Sequence, residues 1–318
     1  MGNVYTKSGA LAQRIYFGSV LIWEKLVESE FIIEVDTTKS GTSNNDQFQF
    51  TGAQGDYNVI AKQGSVVVAI FNDLSNDATI TLPSSGVYVL EVTAKEVNGF
   101  NRINFNSGGD KDKITDTKQW GDVIWSSFEN AFYDCSNMLF TATDVPNLSN
   151  VTTIYRMFRG AGLANPDTSN WNVSNVVNMT EVFIFATSAN PDVSNWDVSN
   201  VTTIYRMFRG AGLANPDTSN WNVSSVIDMR EVFYNATSAN PDLSNWDVIS
   251  ANSMNNILLN TNLSTSNLTA IYENWSQLTL QMDVSFSAGT TKYNSAGQAG
   301  RDILINTYNW TITDGGQV

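Results

Sequence analysis

Apolar residues in the middle of the chain return every 25 positions. Trp171, Trp196, Trp221 and Trp246 share one register, and Phe158, Phe183, Phe208 and Phe233 share another. Pro166, Pro191, Pro216 and Pro241 keep the same step, each followed by aspartate, at 167, 192, 217 and 242. Residues 149 to 174 recur letter for letter at 199 to 224, with a diverged version between the copies. Fixed self-similarity at ~20 to 50 residues is the mark of a solenoid, in which a unit cannot bury its apolar face alone.

Within one unit, Val151, Ile154, Met157 and Phe158 recur at helical spacing behind Ser149 and Asn150, both good helix N-caps. Gly160 supplies a left-handed stop, so one short helix per turn is predicted. After the Asn-Pro corner, Trp171 and Val173 alternate with Asn170 and Asn172, which predicts a short strand with the Trp and Val on one face. Strand plus helix is the leucine-rich-repeat layout, and a right-handed solenoid of that kind is expected. Arg156, Glu181, Arg206 and Glu231 alternate in sign from unit to unit, so stacked neighbours would pair. As exposed pairs they would stabilise by only ~0 to 1 kcal/mol each and would set register more than stability.

The array degrades at both ends. Residues 113–148 hold a partial turn, with Pro146 at a Trp position and Leu148 at a Val position. Residues 249–273 keep Met254, Ile257 and Leu258 but lose the Pro-Asp and the Trp. Ala296, Ala299, Gly300, Ile303, Leu304 and Tyr308 then predict an amphipathic helix, and Trp310 to Thr313 a closing strand. Ahead of the array, short β runs at 31–35, 47–50, 57–61, 66–71, 78–82 and 87–93 are separated by Gly, Asn, Asp and Ser clusters, the pattern of a small Ig-like antiparallel sandwich. The first 28 residues carry two apolar-aromatic strands around Gly18-Ser19, too short to bury themselves. The chain thus reads as mainly β with short helices, in four parts: a docking segment at 1–28, with Tyr16, Phe17 and Trp23 as its contact residues, a sandwich at 29–112, a solenoid at 113–273 and a C-terminal cap of helix plus strand at 274–318.

Composition narrows the chemistry. The 318 residues are 42% hydrophobic and only 15% charged, a mix suited to strands and polar turns. With 17 basic residues against 31 acidic ones, the formal charge of -14 argues against nucleic-acid backbones as partners. No histidine is present, which removes His-based triads, imidazole bases and His-ligated metals. Cys135 stands alone and reads as a small buried hydrophobe. No stretch approaches ~18 consecutive apolar residues, so no membrane span is expected. The N-terminus lacks a basic region followed by an apolar stretch, so either the chain is a mature form or it reaches its destination without a secretory signal.

Candidate sites divide along the same lines. The Asp167, Asp192, Asp217 and Asp242 ladder could offer carboxylates to calcium, but Asp after Pro is expected to form Asx-turns that fix each corner. A ladder of like carboxylates in like surroundings does not separate an acid from a base, so it is not read as catalytic. The four tryptophans share a face with valine and read as core rather than as a sugar platform. Tyr155, Arg159, Tyr205 and Arg209, recurring every 50 residues, are the candidate binding residues, because Tyr and Arg are enriched at binding hot spots.

The motif Asn-Pro-Asp-x-Ser-Asn-Trp-Asn/Asp-Val-Ser-Asn-Val, followed by spaced Met/Ile and Phe, closely resembles the BspA-like leucine-rich-repeat surface proteins. The likeness runs from Gln119-Trp120-Gly121 through Phe128 and Phe132, over 149–248, and through Tyr293 to Gly316. It implies surface exposure and adhesion, with no catalytic residue, cofactor or metal to carry over. The segment from Arg14 to Glu24, a Tyr/Phe-Gly-Ser turn followed by Val-Leu-Ile-Trp, is similar to short segments at the start of phage virion proteins. Phage particles assemble in the cytoplasm, where no export signal is needed.

The expectation is therefore a non-enzymatic virion structural or adhesion protein, a fibre, decoration or tail-associated component on the virion surface. Its first segment contacts virion proteins, and its repeats contact a host-surface glycan or protein. A bacterial cell-surface BspA-like adhesin is the alternative. Homo-oligomerisation is left open, since no coiled-coil heptads appear.

Overall fold

The computed structural model describes residues 29–96 and 99–318 throughout and, before them, the backbone of three strands, β1 (Val4–Tyr5), β2 (Leu11–Phe17) and β3 (Val20–Val27). These pair antiparallel in the order β1-β2-β3, with Ile15 opposite Trp23 and Phe17 opposite Val20. Tyr16, Phe17 and Trp23 lie on β2 and β3, and their side chains fall outside the described residues. Next come β4 (Phe31–Asp36), β5 (Gln47–Gln49), β6 (Asp56–Gln63), β7 (Val66–Ser75), β8 (Thr79–Thr81), β9 (Val87–Ala94), β10 (Ile114–Gln119) and β11 (Leu139–Phe140).

Burial alternates residue by residue along the strands of the main sheet. Phe31, Ile33 and Val35 of β4, Tyr57, Val59 and Ala61 of β6, and Tyr88, Leu90 and Val92 of β9 all point into one core, and the other face mixes Glu34, Asn58, Lys62 and Glu91 with the half-buried Ile32, Ile60 and Val89. The strand order is β11-β10-β4-β9-β6-β7, and β5 pairs separately with β8. This corrects the expected Ig-like antiparallel sandwich. β10 and β11, from beyond residue 112, belong to the six-stranded sheet, and their own pairing is parallel, so the sheet is mixed. Ile114 opposite Val35 covers an edge of β4 that would otherwise be left with unpaired N–H and C=O groups.

Just before β10, the fully buried pair Asp110 and Lys113 pins the loop that leads into β5. Lys113 Nζ donates to the carbonyls of Ser43, Asn44 and Gln47 at 2.9, 2.8 and 3.0 Å. Asp110 accepts from the amides of Ser43 and Gln49 at 3.0 and 2.7 Å. Buried charges persist only when paired and hydrogen-bonded in this way.

The repeats correct the larger expectation. Between β11 and residue 264 there is neither strand nor helix, only turns and isolated parallel bridges linking Thr153, Asn178, Thr203, Asp228 and Ser253 in succession. A leucine-rich-repeat-like right-handed solenoid with a strand and a helix per turn is not what forms; regular β structure is concentrated in the mixed sheet instead. The reason lies in the backbone. Arg156, Glu181, Arg206 and Glu231 have φ of 55°, 59°, 57° and 57°, left-handed values in the middle of each expected helix. The amides then alternate in partner. Ile154, Arg156, Phe158 and Gly160 donate to Asn178, Thr180, Val182 and Ile184 of the next unit, whereas Met157, Arg159 and Ala161 close local turns three residues back. The apolar spacing therefore belongs to a ribbon of turns. At the predicted strand, the amide of Trp171 closes a turn onto Thr168, and no ladder forms.

The units nonetheless pack in register. Successive rings of Trp171, Trp196, Trp221 and Trp246 are 6.5, 6.5 and 6.3 Å apart and near parallel, and those of Phe158, Phe183, Phe208 and Phe233 are 5.3, 5.6 and 5.5 Å apart. Each such buried side chain contributes about 1.5–3 kcal/mol from burial. Trp196, Trp221 and Trp246 also donate Nε1–H to the carbonyls of Thr168, Val193 and Thr218, tying each unit to the one before.

Helix α1 (Thr265–Trp275) ends the array, capped by Ser264, whose hydroxyl accepts from the Asn267 amide. Its Trp275 donates to the Leu243 carbonyl at 3.0 Å and so continues the indole series. The sequence places only a degenerate turn here. β12 (Ser285–Ser287), α2 (Gln298–Tyr308) and β13 (Thr311–Thr313) complete the cap, with β12 and β13 parallel.

Candidate functional site

The ribbon of turns brings the candidate binding residues together with the charge ladder. Tyr155, Arg156 and Arg159 stand in one unit, and Tyr205, Arg206 and Arg209 stand two units on. Between them Glu181 accepts from Arg156 Nε at 2.6 Å and from Arg159 Nη1, while its other oxygen lies 3.6 Å from Arg206 Nη1. Glu231 repeats the pattern, accepting from Arg206 Nε at 2.8 Å and from Arg209. The expectation of exposed pairs needs correcting at Glu181, whose side chain is only 4% exposed. Burial alone would raise its pKa, but the hydrogen bonds and charges of Arg156 and Arg159 outweigh this and hold it below the usual carboxylate range.

Aromatic rings lock the guanidinium groups from their other sides. Arg156 lies 4.5 Å from the Tyr155 ring centroid, and Arg159 lies 5.0 Å from Tyr133. Tyr205 is held between Arg206 at 4.5 Å and Arg230 at 4.7 Å, and Arg209 stacks on Tyr234 at 4.9 Å. Each contact contributes about 0.5–1 kcal/mol at such partly exposed sites. Sequence reasoning missed Tyr133, Arg230 and Tyr234. Arg230 and Tyr234 sit one period beyond Tyr205 and Arg209, a signal that was available; Tyr133 is displaced by one residue from that register.

The remaining candidates fall into structural roles. Asp167, Asp192 and Asp217 each accept from the amide and hydroxyl of the serine two residues on, at 3.0–3.1 and 2.7 Å, and Asp242 accepts from the Ser244 amide at 3.0 Å. These are the Asx-turns of the corners. Among the described residues, no group of three or more Cys, Asp and Glu side chains is placed to hold a metal ion. The tryptophan column is buried, so its faces pack on one another. Cys135 is fully buried, and desolvation pushes its thiol well above the usual range, which keeps it unreactive. No helix among the described residues is long and apolar enough to cross a membrane.

No curated protein and no solved structure matches the chain significantly. The model of a family described as "Mycoplasma protein of unknown function, DUF285" matches residues 126–246, 189–271 and 210–296. The overlapping matches reflect the internal repeat and together cover the stacked units and α1. Since they span more than half of the sequence, the chain belongs to the DUF285 family.

Proposed function

We propose that this chain is a non-enzymatic recognition protein, a fibre, decoration or tail-associated component of a phage virion, that turns its Tyr/Arg ribbon toward a host surface. The observation that supports this most is the ribbon itself. Five arginines and four tyrosines from successive units are held in place by Glu181, Glu231 and ring stacking, so little side-chain freedom remains to be lost on binding. Tyr and Arg held in this way are the usual anchors of an interface. The N-terminal segment, with Tyr16, Phe17 and Trp23, takes the particle side in this reading, on the strength of its similarity to virion proteins. A BspA-like adhesin on a cell surface is the second reading, and the family match favours it, since its description names a cellular organism.

Binding of fluorescently labelled full chain to intact bacterial cells tests the shared core of both readings. Saturable binding that falls at least tenfold in Arg159→Gln/Arg209→Gln supports it, and binding that this folded variant retains in full contradicts it. Labelling with antibody against the chain then separates the two readings, by decorating either purified particles or whole producing cells.

A further inference from the structure

We infer that the partner of the ribbon is an anionic polysaccharide, carrying carboxylate or sulfate groups along its length. This rests on the ribbon being the contact surface. Three observations carry it.

The first is the placement of charge. Between residues 149 and 264 the basic residues are Arg156, Arg159, Arg206, Arg209 and Arg230, with no lysine, and all five lie on the ribbon, in a chain whose formal charge is -14. Among the described residues, only Glu181, Asp228 and Glu231 are paired with them, Glu231 with two arginines and Glu181 with two, a third standing 3.6 Å away. The other acidic residues of these units, Asp167, Asp192, Asp197, Asp217, Asp242 and Asp247, sit in Asx-turns away from the ribbon, so although the units are acidic as a whole, five arginines face three carboxylates on the ribbon itself, with Glu129 and Asp134 flanking its first row.

The second is what the ribbon leaves free. Uncharged sugars are commonly held by stacking on an open aromatic face, but here a guanidinium group lies against each of Tyr133, Tyr155, Tyr205 and Tyr234, the indoles are buried, and Phe185, though 48% exposed, has Arg209 5.9 Å from its ring. The five arginine side chains remain 24–45% exposed, so guanidinium N–H donors are within reach of a ligand. A ligand rich in acceptors and negative charge matches them, and guanidinium groups bind such oxygens in pairs.

The third is spacing. Adjacent units are bridged as neighbouring strands are, so Arg156 and Arg206, or Arg159 and Arg209, two units apart, recur at about 10 Å along the array. A polymer can meet both positions with successive charges, whereas a single small anion can meet only one. Linked contacts of this kind raise affinity without any new type of contact.

The test uses the full chain with polygalacturonate, dextran sulfate and neutral dextran, measured by calorimetry at low and high salt. Binding is expected to at least one polyanion, weakening with salt, and absent for neutral dextran. Arg159→Gln/Arg209→Gln should weaken it by roughly tenfold or more. Should that variant fail to fold by thermal melting, Arg230→Gln decides, since its ion pair is with Asp228 of its own unit and its side chain is 45% exposed. Equal binding of neutral dextran, no binding of either polyanion, or polyanion binding that neither variant weakens would overturn the inference. Cell binding that depends on the ribbon but is not competed by either polyanion would overturn it too, while leaving the proposed recognition role intact.

Discussion

Arg156 and Glu181 stand one repeat apart and meet through a 2.6 Å hydrogen bond from Nε to Oε2, on a carboxylate withdrawn almost wholly from solvent. The same carboxylate accepts from Arg159, so one glutamate joins two arginines of the preceding unit. Glu181→Ala leaves both guanidinium groups, each about one-quarter to one-third exposed, without their partner. A loss of about 2 kcal/mol is expected in denaturant unfolding, below the ~3–5 kcal/mol of a fully buried pair because water reaches the arginines. An unchanged midpoint would show that the pair contributes no stability.

Acid should remove the same contribution. The folded-state pKa of Glu181 is depressed, so the unfolded chain binds the proton more readily and stability rises with pH through this window. The stabilisation is complete above the unfolded value, about pH 4.3 for glutamate, and is lost as pH falls through the folded value. Melting temperatures of the wild type and Glu181→Gln should therefore differ near neutrality and converge in acid. A constant gap from neutrality down to strongly acidic pH would refute the assignment.

Trp196 combines stacking with a hydrogen bond, and two substitutions separate them. Trp196→Ala removes the ring between Trp171 and Trp221 and should cost about 3–5 kcal/mol. Trp196→Phe keeps an aromatic ring in the column but loses the 3.0 Å bond to the Thr168 carbonyl, for a smaller loss of about 1–2 kcal/mol. Chemical denaturation distinguishes the two, and equal losses would mean that stacking contributes little.

Gly210 has φ of 68°, and a Cβ there would stand 2.5 Å from Cδ1 of Phe185 in the preceding unit. Gly210→Ala should therefore destabilise through both strain and clash. In a Phe185→Ala background the clash disappears and about 1–2 kcal/mol of left-handed strain remains. A cost identical in both backgrounds, measured as a double-mutant cycle, would show that the ring simply moves aside.

What could be read in the sequence followed from how far apart its signals lie. Six strands of residues 31–94 show themselves as short β-prone runs between turn-forming clusters, and α2 by its apolar stripe, because both are local patterns. The turn ribbon reads as a helix in the sequence because its left-handed positions are Arg156 and Glu181, residue types that give no warning, where glycine or asparagine would do so. The pairing of β10 with β4 joins Ile114 to Val35 across a long stretch of chain, and nothing local encodes it. At the candidate site, Tyr155, Arg159, Tyr205 and Arg209 stood out by their 50-residue recurrence. The burial of Glu181 and the placing of guanidinium groups against the tyrosine rings depend on packing between units, which the letters alone do not display.

Amide hydrogen exchange of the full chain, with and without saturating polygalacturonate, locates the contact surface. Protection should rise together in 153–160, 203–210 and 228–235, the ribbon segments bearing the five arginines, and should leave the aspartate corners at 165–172 and 215–222 unchanged. Protection confined to those corners, or to the sheet at 31–94, would place the contact elsewhere and contradict the assignment of the ribbon.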